Sequence, residues 1–153
     1  METHIKSQVS EIKLSYSPKV KSSKLPKIIT SEDAYKLLHA NWDKGLLEFL
    51  EQFKVILLNR ANKVLGIVEI SLGGISGTVV DTKIIFATAL KACASSIILA
   101  HNHPSGNLNP SQADIGLTDR IKEGGKILDI AVLDHVIITS EGYYSFADEG
   151  LIA

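Results

Sequence analysis

The sequence predicts a single domain of the α/β (α+β) class, a mixed β-sheet flanked by helices. Three observations lead there. Apolar runs with strand character are interleaved with segments of helical periodicity. Two of the runs are close enough for a β-hairpin while others are separated by a helix, so both hairpin and crossover connections occur. The 153 residues fill one ordinary domain, which buries roughly two-thirds of the surface its unfolded chain exposes. Such a chain needs no disulfide or structural metal merely to fold, so a metal site in it would serve chemistry.

Residues 1–27 read as a lysine- and serine-rich N-terminal arm, and 28–153 as the domain. In the arm, Lys6, Lys13, Lys19, Lys21, Lys24 and Lys27 face only Glu2 and Glu11. Ile12, Leu14 and Tyr16 alternate with Lys13, Ser15 and Ser17, the period of a half-exposed strand that could pair with a sheet edge or a second subunit. A solvated tail is the competing reading.

Thr30 or Ser31 can cap a helix carrying Ala34, Leu37, Leu38 and Trp42 on one face, with Glu32 and Asp33 suited to its first turn. Gly45 marks a break. Phe53–Leu58 and Val64–Ile70 then read as strands joined by Asn59–Lys63 in a hairpin, and the glycine-rich Ser71–Gly77 as a loop. Ile85, Ala89 and Ala92 recur at helical spacing between Thr82 and Ala94, and Ser95–Ala100 is a short strand that delivers the chain to His101. A helix from about Ser111 to Glu123 is expected to stop at Gly124-Gly125. Ile130–Thr139 and Tyr143–Phe146 complete the pattern as strands joined through Glu141-Gly142.

The 16 basic and 17 acidic residues nearly cancel, so net charge gives no support to binding of nucleic acid or an anionic membrane. Cys93 is the single cysteine, which excludes an internal disulfide and any thiolate-rich zinc site. No apolar run approaches the ~20 residues of a membrane span, and no signal-peptide core is present. A soluble, cytoplasmic protein without membrane contact is expected.

The chemistry concentrates in residues 101–114. If His101 and His103 continue the strand, their i, i+2 spacing points both imidazoles to one side, where they can share a cation. Asp114, near the start of the next helix, returns toward that point through the Ser105-Gly106 turn and the Asn107–Pro110 loop. Two nitrogens and a carboxylate oxygen leave a fourth position open, the arrangement of a hydrolase. Quieter readings exist for each residue: Ser111-x-x-Asp114 is also a capping box, and Asn109-Pro110 also reads as helix initiation. The joint pattern is what those readings do not produce.

His-x-His-Pro followed by six residues and Ser-x-x-Asp resembles the JAMM motif of the JAB/MPN metalloprotease superfamily. The form His101-Asn102-His103-Pro104-Ser105-Gly106, with Ala94–Ala100 before it and Val132-Leu133-Asp134-His135 after it, resembles the RadC branch over about residues 30–153. RadC proteins commonly carry an N-terminal helix-hairpin-helix region, so the chain looks like the shorter RadC-like proteins. The resemblance implies a JAB/MPN, cytidine-deaminase-like fold and one Zn²⁺ held by His101, His103 and Asp114. It also implies a glutamate serving the bound water, which Glu51 matches, ahead of Glu48 and Glu69. Glu48 reads as part of a solvated helix face, and Glu69 as a strand residue that could face the cavity. In the implied mechanism Glu51 is general base and Ser111 hydrogen-bonds the oxyanion. Isopeptidase members usually have serine or threonine where this chain has Asn102, and their ubiquitin-gripping insertions are not found here.

His135 could support the site from behind or be a satisfied core histidine; His4 and His39 are expected to be exposed. The HNH-nuclease label fails because those motifs are not contiguous, and a zinc deaminase needs at least two cysteine ligands, which a single cysteine cannot supply. The expected partner is a peptide or protein substrate. DNA, suggested by the repair association of the RadC name, finds support only in the lysine-rich arm, and the arm could also serve oligomerisation. A repair-associated nuclease or accessory factor and a non-catalytic interaction module remain the alternatives to a metallohydrolase.

Overall fold

The computed structural model describes residues 8–75 and 77–153; Glu2, His4 and Lys6 lie outside them. The elements are α1 (Ser31–Asn41), β1 (Gln52–Leu58), β2 (Val64–Leu72), α2 (Thr82–Lys91), β3 (Ser96–Asn102), α3 (Gln112–Leu128), β4 (Ala131–Ile138) and β5 (Tyr143–Ser145). The five strands form one mixed sheet in the order β2-β1-β3-β4-β5. β1 runs antiparallel to β2 and β3, β3 parallel to β4, and β4 antiparallel to β5. The parallel pair is joined through α3, because parallel neighbours require a crossover.

Strand alternation sorts the core into two layers. Phe53, Val55 and Leu57 of β1 and Ile97 and Leu99 of β3 pack with Ile85 and Ala89 of α2 and Ile121 of α3. On the opposite face, Ile56, Leu58, Ile98 and Ala100 pack with Ala34, Leu38 and Trp42 of the α1 region. A side chain such as Phe53 or Leu99, nearly all removed from water, contributes roughly 1.5–3 kcal/mol by that burial.

Thr30 is the cap of α1, its hydroxyl accepting from the Asp33 amide at 3.2 Å while Asp33 Oδ2 accepts from the Thr30 amide at 3.0 Å. One sequence expectation is corrected, and of the readings left open for the arm, a strand on a sheet edge of the same chain is not the one formed. α3 does not stop at Gly124-Gly125 but runs to Leu128, where Asp129 adopts a left-handed conformation (φ 55°) and caps it. The glycines are interior because neighbours come too close for a side chain. A Cβ on Gly125 would lie 2.3 Å from the Ile130 carbonyl oxygen, and one on Gly124 2.8 Å from the Phe86 ring. The alternating stretch of the arm forms no strand: Ile12 and Leu14 are 87% and 96% exposed, and within the described arm pairing is confined to a bridge between Lys27 and Lys63. An alternating pattern with no facing apolar surface buries nothing that would offset its ordering entropy. Among the described residues, no helix is long and apolar enough to cross a membrane.

Candidate metal centre

β3 is buried along its whole length and ends where the crossover to α3 departs, the position at which parallel strands open a crevice at their carboxyl ends. Alternation turns His101 toward the α2/α3 face and Asn102 toward the α1 face. A turn after Pro104, with the Gly106 amide on the His103 carbonyl at 3.0 Å and Gly106 at φ 85°, brings the chain round to α3. There Ser111 caps the helix: its hydroxyl accepts from the Asp114 amide at 3.0 Å, and Asp114 Oδ2 accepts from the Ser111 amide at 2.8 Å. Ser111 is therefore the N-cap, and Asn109-Pro110 precede it. The capping box and the cluster are not rival readings, because the cap aims the Asp114 carboxylate back at β3.

His101 Nε2 and His103 Nε2 lie 3.0 Å apart, and Asp114 Oδ2 is 3.5 Å from each. Glu51 Oε1 is 3.8 Å from His101 Nε2, and one ligand atom from each of the four residues lies within 4.8 Å of the others. His103 Nδ1 is 2.5 Å from the Asn107 carbonyl oxygen, which can only accept, so in the neutral imidazole the proton sits on Nδ1 and Nε2 presents a lone pair. Donors of a tetrahedral ion with bonds of ~2.0–2.2 Å are separated by about 3.3 Å. The His101–His103–Asp114 triangle has that size, so the cluster could hold a divalent cation, with Glu51 beside it.

Glu51 immediately precedes β1. Its amide donates to the Gly74 carbonyl at 3.1 Å, and its carbonyl accepts from Gly73 at 2.8 Å. The two other glutamates weighed from sequence are not part of the four-residue cluster. Glu69 is exposed on β2 and bonded by the Gln52 side-chain amide. Glu48 precedes β1 in a turn segment, not a helix, and lines the cleft. That cleft, with a volume of about 750 Å³, is bordered by Glu51, His103, Ser111 and Asp114, while His101 is buried beside them with 2% of its side chain exposed.

Burial raises the Glu51 carboxyl above its ordinary value, against the pull of His101 and His103. Burial also opposes charge on His103, but hydrogen bonds to Asp114 and the Asn107 carbonyl outweigh it and the imidazole is raised. Asp114 loses by burial and gains more from the two histidines and the Ser111 amide, so its carboxyl lies well below the usual range. A carboxylate that stays ionised between two imidazoles is a cation-seeking arrangement.

One supporting residue, Asn102, has a role that sequence reasoning did not find, and for another, His135, that reasoning left two readings open. Asn102, fully buried, accepts from the Gln52 amide at 2.7 Å and donates to the Leu47 and Leu50 carbonyls at 2.8 and 2.9 Å, fixing the backbone around Glu51. His135 is buried, as a core histidine would be, yet its Nε2 lies 2.7 Å from His101 Nδ1. A β3–β4 register shift between Ile97 and Ile98 breaks alternation along β4, so the face of His135 cannot be counted off from Val132. His39 is half-buried, not exposed, beside Tyr35 and Lys44.

A sequence model of the family described as RadC-like JAB domain matches residues 28–151. A UPF0758 protein of Flavobacterium johnsoniae is 49% identical over 128 residues, covering 84% of this chain and 55% of its own length. UPF0758 proteins of Porphyromonas gingivalis and Rubrobacter xylanophilus are 46% and 45% identical over 103 and 102 residues, in each case 67% of this chain, and 45% and 44% of their own lengths. The chain thus spans about half the length of the curated relatives it matches.

Proposed function

The chain belongs to the RadC-like JAB domain family, and from that premise we propose that it is a zinc-dependent hydrolase cutting a peptide or isopeptide bond. The observation that carries this reading is the convergence of His101, His103 and Asp114 on one point with Glu51 alongside. Neutral nitrogen and carboxylate donors in a three-ligand set favour zinc. When bound, such an ion lowers the pKa of a water to about 7 and polarises a substrate carbonyl.

The residues of the chain supply the remainder. Glu51, its carboxyl raised by burial, takes a proton from the attacking water and returns it to the leaving amine. Ser111 uses an oxygen lone pair to cap α3, leaving its hydroxyl proton free to donate to the developing oxyanion. Asn102 holds Glu51 in reach. Among its described residues, the cleft is lined by Glu48, Glu51 and Asp114 without lysine or arginine, which favours an amide over a phosphodiester, whose charge calls for basic contacts.

Metal analysis of the purified chain beside Asp114→Ala and Glu51→Gln, followed by peptide, isopeptide and DNA substrates, tests the reading. Stoichiometric zinc in the wild type, lost in Asp114→Ala, is expected, with zinc retained and hydrolysis abolished in Glu51→Gln. Zinc surviving Asp114→Ala, or full activity in Glu51→Gln, would remove the assigned ligand or base.

A further inference from the structure

Behind the cluster runs a buried hydrogen-bond chain whose protons can be assigned. The Thr118 hydroxyl lies 2.7 Å from the Asp114 carbonyl oxygen and 2.6 Å from His135 Nδ1. A carbonyl oxygen only accepts, so the single hydroxyl proton goes to Asp114 and the Thr118 oxygen must accept from His135 Nδ1–H. A neutral His135 then has a bare Nε2, which at 2.7 Å can only accept from His101 Nδ1–H. That leaves His101 Nε2 as a lone pair aimed at His103 Nε2 and Asp114 Oδ2. The ring of His135 cannot turn out of this chain: Phe146 stacks on it at 4.6 Å and Phe53 meets it edge-on at 5.6 Å.

We propose that Thr118 and His135 are positioning residues of the metal site, holding His101 in the tautomer whose Nε2 is free to bind a cation. This rests on His101 being a ligand, as in the function proposed above. The chain starts at the backbone oxygen of Asp114 and ends at the lone pair facing the Asp114 carboxylate, so a single turn of α3 sets both the orientation of one ligand and the tautomer of another.

Replacing Thr118 by valine removes the acceptor for His135 Nδ1–H. The favoured response is for both imidazoles to shift their proton, His135 donating through Nε2 and His101 carrying its proton on Nε2, where it obstructs the cation. Thr118→Ser keeps the hydroxyl. Long-range ¹H–¹⁵N correlation spectra of metal-free protein at alkaline pH read the tautomers, and competition against a chelator reads affinity for zinc alone. Wild type and Thr118→Ser are expected to show His101 protonated on Nδ1 and to bind zinc equally. Thr118→Val is expected to show the Nε2–H form and to bind about 10- to 100-fold more weakly.

An Nε2–H form of His101 in the wild type would overturn the proposal, as would a folded Thr118→Val that binds zinc like the wild type. If Thr118→Val does not fold, the wild-type spectrum alone decides. Should the wild type take up no zinc with His101 still in the Nδ1–H form, the metal reading falls while the relay stands.

Discussion

Asn102 Oδ1 accepts the backbone amide of Gln52 at 2.7 Å, across 50 residues of sequence. The same side chain holds the carbonyls of Leu47 and Leu50, so the residue between His101 and His103 grips the chain on both sides of Glu51.

Asn102→Ala would leave two buried backbone groups and one partly buried one without this partner, each buried group costing about 1–3 kcal/mol. Denaturant unfolding should show a loss of several kcal/mol, or no folded protein. A loss well under 1 kcal/mol would mean that the 47–52 segment is held by other contacts.

On the proposed function, protons and the metal compete for His103. Burial lowers this imidazole, but the Asp114 and Asn107 contacts raise it above its ordinary value of 6.5, so zinc affinity should be highest on the alkaline side and fall as pH drops through that raised value. In metal-free protein the sign reverses. A raised folded pKa gives stability that is present below 6.5 and lost as pH rises through the folded value. Chelator competition and urea unfolding across neutrality check the two slopes; a pH-independent zinc affinity contradicts the assignment.

Ser111 combines a cap with the proposed oxyanion contact, and two substitutions separate them. Ser111→Ala should cost about 1 kcal/mol of stability and Ser111→Gly only a few tenths, since glycine is tolerated at an N-cap. Both should lower the rate constant of hydrolysis by about 10²-fold or more. Glycine restoring both stability and rate would reduce Ser111 to a cap.

Gly125→Ala should destabilise by about 1–3 kcal/mol, because the added methyl would meet the Ile130 carbonyl oxygen at 2.3 Å and backbone must move. Gly124→Ala meets the Phe86 ring, which can swing away, and the helix propensity gained, up to ~1 kcal/mol, offsets part of the cost. Thermal unfolding that ranks them in the opposite order would refute the close-approach account.

By itself the sequence determined the interleaving of helices and strands, a cap for α1 at Thr30 or Ser31 and the spacing that turns His101 and His103 to one side, because these depend on local periodicity and near-neighbour hydrogen bonds. Its expectation of a helix end at Gly124-Gly125 failed for a physical reason: two glycines read locally as a terminus, whereas Phe86 and Ile130 O crowd them from elements distant in sequence. Only the tertiary structure decided that the Glu51 carboxylate, and not that of Glu69, stands beside the histidines. It alone revealed that Asn102 holds the backbone on both sides of that glutamate and that Thr118 lies behind His135, and it decided between the two readings of His135 by placing its ring against His101. Those are relations across strand register, and a shift between Ile97 and Ile98 is enough to change which face a residue meets without leaving any mark on composition or spacing.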